Sequence, residues 1–109
     1  MSITDNEWKN LSSELNIPFD KLVGEYLINV FPLHSVFLFK VYERANGVFY
    51  AASAVKFQDS SQGFYRPISE GYTEVEALRN LLLKIADIVL KFNNEMPEGQ
   101  FILSDTYEF

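Results

Sequence analysis

A chain of 109 residues in which 48% are apolar and 16% aromatic has material for one hydrophobic core and too much of it for a disordered segment. Its formal charge is −6, with 9 Lys and Arg against 15 Asp and Glu, so binding nucleic acid by neutralising phosphates is not expected. No cysteine is present, which excludes disulfides and thiolate chemistry, and no apolar run approaches the roughly 20 residues of a membrane helix.

Met1 to Glu7 are acidic and lack a secretory apolar segment, so a cytoplasmic location is expected. Thr4 and Glu7 have capping-box spacing, and Ile3 with Trp8 has that of a hydrophobic staple. They predict a helix from Asp5 to Leu15 that presents Trp8, Leu11 and Leu15. Pro18 suits the first turn of a second helix. Phe19, Leu22, Val23, Tyr26, Leu27 and Val30 then fall on one helical face, with Gly24 as a cost inside it. Leu11, Leu15, Ile17 and Leu22, with Asn16 at the turn, resemble a helix-turn-helix. The second helix would offer only Asp20, Lys21, Glu25 and Asn29 to DNA, a poor set for phosphates and base edges.

Ser35 to Arg44 and Val48 to Phe57 are rich in aromatic and β-branched residues and predict antiparallel strands. A two-residue Asn46-Gly47 turn would pair Ala45 with Val48, Val41 with Ala52, and Phe39 with Ala54. Phe37, Phe39, Val41, Tyr50, Ala52 and Ala54 would then share a face, with the alanines leaving room for a helix. Gln58 to Gly63 is a polar loop. Phe64 to Ile68 predicts a third strand, which Pro67 confines to an edge or makes irregular.

Thr73 and Glu76 form a second capping box, opening a long helix from about Glu74 to Asn93. Leu78, Leu81, Leu82, Ile85, Ile88, Val89 and Phe92 are its core stripe. Leu83 and Leu90 lie more than a quarter turn off that stripe. Either the N-terminal helices or a second subunit must cover them, and they are the candidate homodimer contact. Pro97 and Gly99 break the chain, and Phe101 to Leu103 can add a short last strand.

The fold class expected is α+β: two N-terminal helices, an antiparallel sheet of three or four strands, and one long C-terminal helix packed on it. Residues 1–109 form a single domain, with 1–33 its helical part, 35–104 the sheet and long helix, and 105–109 a tail. The hairpin followed by Ser69-x-Gly71-x-Thr73-x-x-Glu76-Ala77-Leu78 resembles the HicB-type antitoxin domain over roughly Phe37 to Phe92. That resemblance implies a small regulator that works by binding protein. The same order of elements resembles the double-stranded-RNA-binding domain, whose last helix opens on lysines that straddle phosphates. Here Glu74 and Glu76 hold those positions, which inverts the charge and removes the RNA-binding expectation.

His34 is the only histidine, and without cysteine or a neighbouring acidic pair it predicts no metal site. No glycine-rich phosphate loop is present, and no spacing supports a catalytic triad, so neither a cofactor nor an enzyme is expected. The function expected is that of a small acidic regulatory or inhibitor protein, antitoxin-like or phage anti-defence-like, binding another protein that presents a basic surface. Asp59, Phe64, Tyr65, Glu70, Glu74 and Glu76 are the candidate contact residues, Phe64, Tyr65 and Arg66 being an aromatic-cationic set of the interface type. Two alternatives are a transcriptional regulator using the N-terminal helices on DNA, and a ligand-binding or enzymatic domain with an aromatic pocket between sheet and long helix.

Overall fold

The computed structural model describes residues 4–30, 35–58, 63–91, 101–104 and 109. Its elements run α1 (Asp5–Leu15), β1 (Asp20–Val30), β2 (Ser35–Arg44), β3 (Phe49–Ser53), β4 (Val55–Gln58), β5 (Phe64–Tyr65), β6 (Ile68–Gly71), α2 (Glu74–Leu90) and β7 (Phe101–Leu103). The architecture is α+β, with two antiparallel sheets in the orders β1-β2-β3-β6 and β5-β4-β7. Among the described residues, no helix is long and apolar enough to cross a membrane.

The first N-cap is in place: the Thr4 hydroxyl accepts the Glu7 amide at 3.3 Å and donates to the Glu7 carboxylate at 2.8 Å. Asn16 ends α1 in the left-handed region at φ 53°, a conformation asparagine tolerates better than most residues. Ile3, the expected staple partner of Trp8, lies outside the described residues. Ser12 binds the next segment by donating to the Ile17 carbonyl at 2.7 Å and accepting from the Phe19 amide at 3.3 Å. Lys9 pairs with Glu43 at 2.9 Å, fastening α1 to the end of β2. Glu43 is also what raises the Lys9 pKa above its ordinary value.

The second N-terminal helix is absent, because Asp20–Val30 is a strand paired with β2. The register skips between Leu22 and Gly24, a β-bulge that leaves Val23 without an opposite residue. The bulge mixes two alternations, and their overlap imitates helical spacing in the sequence. In the strand, Val23, Tyr26 and Ile28 pack on the core while Leu22 and Leu27 face away from it. The N-terminal part therefore contains one helix and an edge strand, and the helix-turn-helix reading loses its recognition helix.

The β2–β3 register also differs from expectation by one residue: Val41 opposes Ala51, and Phe39 opposes Ser53. The cause is the turn. Arg44 and Val48 close a three-residue loop through the 2.8 Å bond from the Arg44 amide to the Val48 carbonyl. The Gly47 amide donates back to the Arg44 carbonyl at 3.0 Å, with Gly47 at φ 89° where a side chain is disfavoured. A one-residue slip transfers a whole strand to the other face. Phe37, Phe39 and Val41 thus share the core side with Ala51, and Tyr50 and Ala52 stand on the opposite face.

The expected strand through Phe57 is two strands that change sheets at Ala54, and the expected strand Phe64 to Ile68 is likewise split, around Pro67, between β5 and β6. The corner is held by its backbone. The Ala54 amide donates to the Leu38 carbonyl at 2.9 Å, and the Ser104 amide donates to the Ala54 carbonyl at 2.7 Å. Phe101–Leu103 forms the expected last strand, pairing with β4.

Helix α2 starts on its predicted cap, with the Thr73 hydroxyl accepting the Glu76 amide at 3.1 Å. Ala77, Leu81, Ile85 and Val89 are buried against Phe37, Phe39, Val41, Ala51, Val55 and Phe57. Ala51 and Ala77, both fully buried, supply little bulk where helix and sheet meet. The burial of ten such residues in one cluster is the main stabilising contribution, at about 25 cal/mol for each Å² of apolar surface removed from water.

Candidate functional site

Two surfaces stand out among the described residues. The first is the outward side of α2. Val75, Leu83 and Leu90 are 62%, 62% and 61% exposed, and half-buried Leu82 lies beside them. At roughly 100° per residue, Val75, Leu82, Leu83, Ala86 and Leu90 form a second apolar stripe about 130° from the buried one. A shallow cavity of about 290 Å³ opens among Val75, Leu78, Arg79, Leu82 and Leu83. Helix α1 does not cover Leu83 or Leu90, so the N-terminal packing considered for them is not realised. The stripe continues beyond those two leucines to Val75 and Ala86, which sequence reasoning passed over. The signal was the spacing itself, hidden because alanine and valine at a helix surface are unremarkable one at a time.

The second surface is the outer face of the four-stranded sheet, which α2 does not touch. The Tyr42 and Tyr50 rings stack there with centroids 5.0 Å apart and planes at 17°. Tyr50 donates its hydroxyl to Asp20 at 2.9 Å, and Arg44 lies 4.6 Å over the Tyr50 ring. Burial, with the Asp20 carboxylate as acceptor, pushes the Tyr50 pKa up to about 12. Burial raises Tyr42 as well, with Glu25 and Asp20 nearby adding to the effect. A cavity of about 320 Å³ lies between Tyr42, Tyr50, Ala52, Arg66 and Ile68, and the Phe109 ring forms one of its walls. None of this was legible without the register, because Tyr42, Tyr50, Arg66 and Phe109 are far apart in sequence.

Of the six predicted contact residues, the five described are spread over β5, β6 and the start of α2. Asp59 lies outside the described residues, as does His34. Phe64 and Tyr65 are exposed on β5, in the smaller sheet. Glu70 and Glu76 come together around a cavity of about 150 Å³ with Val48, Gly71 and Tyr72. Glu70 pairs with Arg44 at 3.0 Å, and its backbone carbonyl accepts from the Asn80 amide group at 2.9 Å. The Glu76 carboxylate accepts the Tyr72 amide at 3.4 Å, one residue before the Thr73 cap. Glu74 reaches instead to the far edge of the sheet, where its carboxylate accepts the Tyr26 hydroxyl, and that bond raises the Tyr26 pKa.

The aromatic pocket considered between sheet and helix is filled by Phe37, Phe39, Phe57, Leu81 and Ile85, each no more than 2% exposed. Among the described residues, no three His, Cys, Asp or Glu side chains are grouped to hold a metal ion. No protein-family model, curated protein or solved structure matches this chain.

Proposed function

We propose that this chain is a small acidic, non-enzymatic protein of the regulatory or inhibitor kind, in the manner of antitoxins and phage anti-defence proteins. It acts by binding protein through the outer face of α2, and a second copy of the chain is the occupant of that face. The observation that carries this reading is the exposed stripe. Three large aliphatic side chains, each more than 60% exposed, run along about 22 Å of one helix. Contiguous apolar surface of this kind marks interaction sites.

The spacing favours self-association. Val75, Arg79, Leu82, Leu83, Ala86 and Leu90 follow intervals that read the same in both directions. An antiparallel pair of α2 helices with its two-fold axis between Leu82 and Leu83 brings Val75 against the partner copy's Leu90 position and Leu82 against its Leu83 position, an isologous contact. The same arrangement sets Arg79 beside the opposing Asp87 position, and neither side chain has an ion-pair partner among the described residues. Charge complementarity thus fixes the antiparallel register.

Sedimentation equilibrium tests the reading. The wild-type chain associates to a dimer, and Leu83→Glu, which puts a carboxylate at the centre of the contact, weakens association by about tenfold or more. Leu83 is exposed, so its thermal unfolding stays near that of the wild type. Arg79→Asp weakens the dimer, and adding Asp87→Arg restores it. A wild-type chain that stays monomeric at about 0.5 mM, above the range of even a small specific interface, overturns the proposal.

A further inference from the structure

The outer face of the sheet, separate from the α2 surface, holds a residue remote in sequence. Phe109 is seated there. Its backbone oxygen accepts from Lys40 Nζ at 3.0 Å and from the Tyr42 hydroxyl at 2.8 Å. Two cations lie over its ring, Lys40 Nζ at 4.6 Å and the Arg66 guanidinium at 5.0 Å from the centroid. Lys40 is only 7% exposed, so its ammonium is held in a largely dry setting where a hydrogen bond to oxygen counts for more than in water.

The groups that do this are themselves held. Arg66 Nε donates to the Ser53 carbonyl at 3.0 Å, and its guanidinium also donates to the Ser104 hydroxyl. Tyr42 is fixed by its stack on Tyr50, which Asp20 and Arg44 anchor from either side. A cavity of about 320 Å³ adjoins the Phe109 ring, leaving room for more than the ring alone. Lys40, Arg44 and Arg66 share this face with the carboxylates of Asp20, Glu25 and Glu70, so its charges are mixed rather than uniformly acidic.

We propose that this cradle is a binding site for an aromatic residue in a protein segment that presents a main-chain oxygen beside its ring, and that Phe109 occupies the site in cis. The two donors read the oxygen, and the two cations read the ring. Occupation in cis makes Phe109 an intramolecular competitor, with an effective concentration in the millimolar range when the connecting segment is short. A partner segment enters by displacing it.

The test is a titration of isotope-labelled Phe109→Ala protein with the N-acetylated peptide Thr-Tyr-Glu-Phe, which has the sequence of residues 106–109. The expected result is saturable shifts of the Lys40, Tyr42 and Ala52 amides, with wild-type protein binding the same peptide about tenfold more weakly. Tyr42→Phe in the Phe109→Ala background removes one donor and weakens the peptide by roughly three- to tenfold. A peptide ending in Ala in place of Phe leaves the spectrum unchanged. Absence of binding to Phe109→Ala protein, equal binding of the Ala peptide, or equal binding by wild type overturns the proposal. If Phe109→Ala loses its dispersed spectrum, Lys40→Met with Tyr42→Phe in the otherwise intact chain gives a second reading. There the Phe109 amide moves to its unstructured position, and a Phe109 resonance that stays put overturns the cradle.

Discussion

Replacing Gly71 by alanine tests how β6 and the start of α2 are joined. Gly71 is not a positive-φ residue, so the substitution carries no conformational penalty of its own. The cost is steric. A Cβ at Gly71 meets the Ala77 backbone nitrogen at 2.6 Å and the Glu76 carbonyl carbon and Cβ at 3.0 Å. Ordinary contacts begin near 3.4 Å, so the first turn of α2 must withdraw by the better part of an ångström. Two of the three atoms met are backbone, and the turn is pinned by the Thr73 cap and by Ala77, which is fully buried. Withdrawal loosens Leu81 and Ile85 behind it. Overpacking of this kind costs about 1–3 kcal/mol, and a rigid neighbour places Gly71→Ala near the upper end. At about 4–8 °C per kcal/mol for a domain near this size, the unfolding midpoint falls by roughly 12–24 °C. Thermal unfolding followed by circular dichroism measures it, with Gly47→Ala as the comparison. There a Cβ meets nothing within 4 Å but sits at φ 89°, for about 1–2 kcal/mol. A Gly71→Ala midpoint within about 4 °C of wild type, or above that of Gly47→Ala, refutes the argument.

Two further outcomes follow from the side-chain bonds. Exchanging both Glu74 and Glu76 for lysine removes the acceptors of the Tyr26 hydroxyl and the Tyr72 amide and places positive charge at a helix N-terminus, so stability falls by about 2 kcal/mol. An unfolding midpoint unchanged by that double exchange would show that both carboxylates are free for other work. Tyr50 provides a pH dependence. Its folded pKa lies at about 12, above the unfolded value of 10.0, so its contribution is complete below pH 10 and is lost as pH rises from there through 12. The phenolate absorbance of wild type minus that of Tyr50→Phe should therefore rise near pH 12. Asp20→Asn should move that rise to lower pH, and an unshifted rise would remove Asp20 as a cause.

The helices were legible because their signals are local. Thr4 with Glu7 and Thr73 with Glu76 hold cap chemistry within three residues, and the core stripe of α2 repeats over several turns. The strands were legible in kind but not in partnership. In 20–30, Val23, Tyr26 and Ile28 favour a strand, yet the bulge at Val23 shifts the alternation by one and leaves Leu22 and Leu27 at helical intervals from them. Pairing over ten register positions with β2 decides the matter, and that partner is remote information. The hairpin shows the same limit on a smaller scale. Asn46-Gly47 marks a turn in either register, and the choice between two and three loop residues rests on where Gly47 takes its positive φ.

That one-residue choice also decides which side chains each face presents. In the two-residue register, Tyr50 and Ala52 would join Phe39 and Val41 beneath α2, and the outer face would lose its stacked pair. In the observed register Tyr50 meets Tyr42 outside the core, Ala52 becomes the floor between them and Ile68, and Arg44 and Glu70 close over the pair. The buried face sets the small Ala51 among Phe37, Phe39, Val41 and Phe57, so α2 can settle closely on it there. With its core side satisfied in this way, α2 has no use within the fold for Val75, Leu83 and Leu90. The turn geometry at Gly47 therefore separates the two surfaces: an aliphatic one on the helix, suited to a copy of itself, and an aromatic-cationic one on the sheet, already holding a phenylalanine.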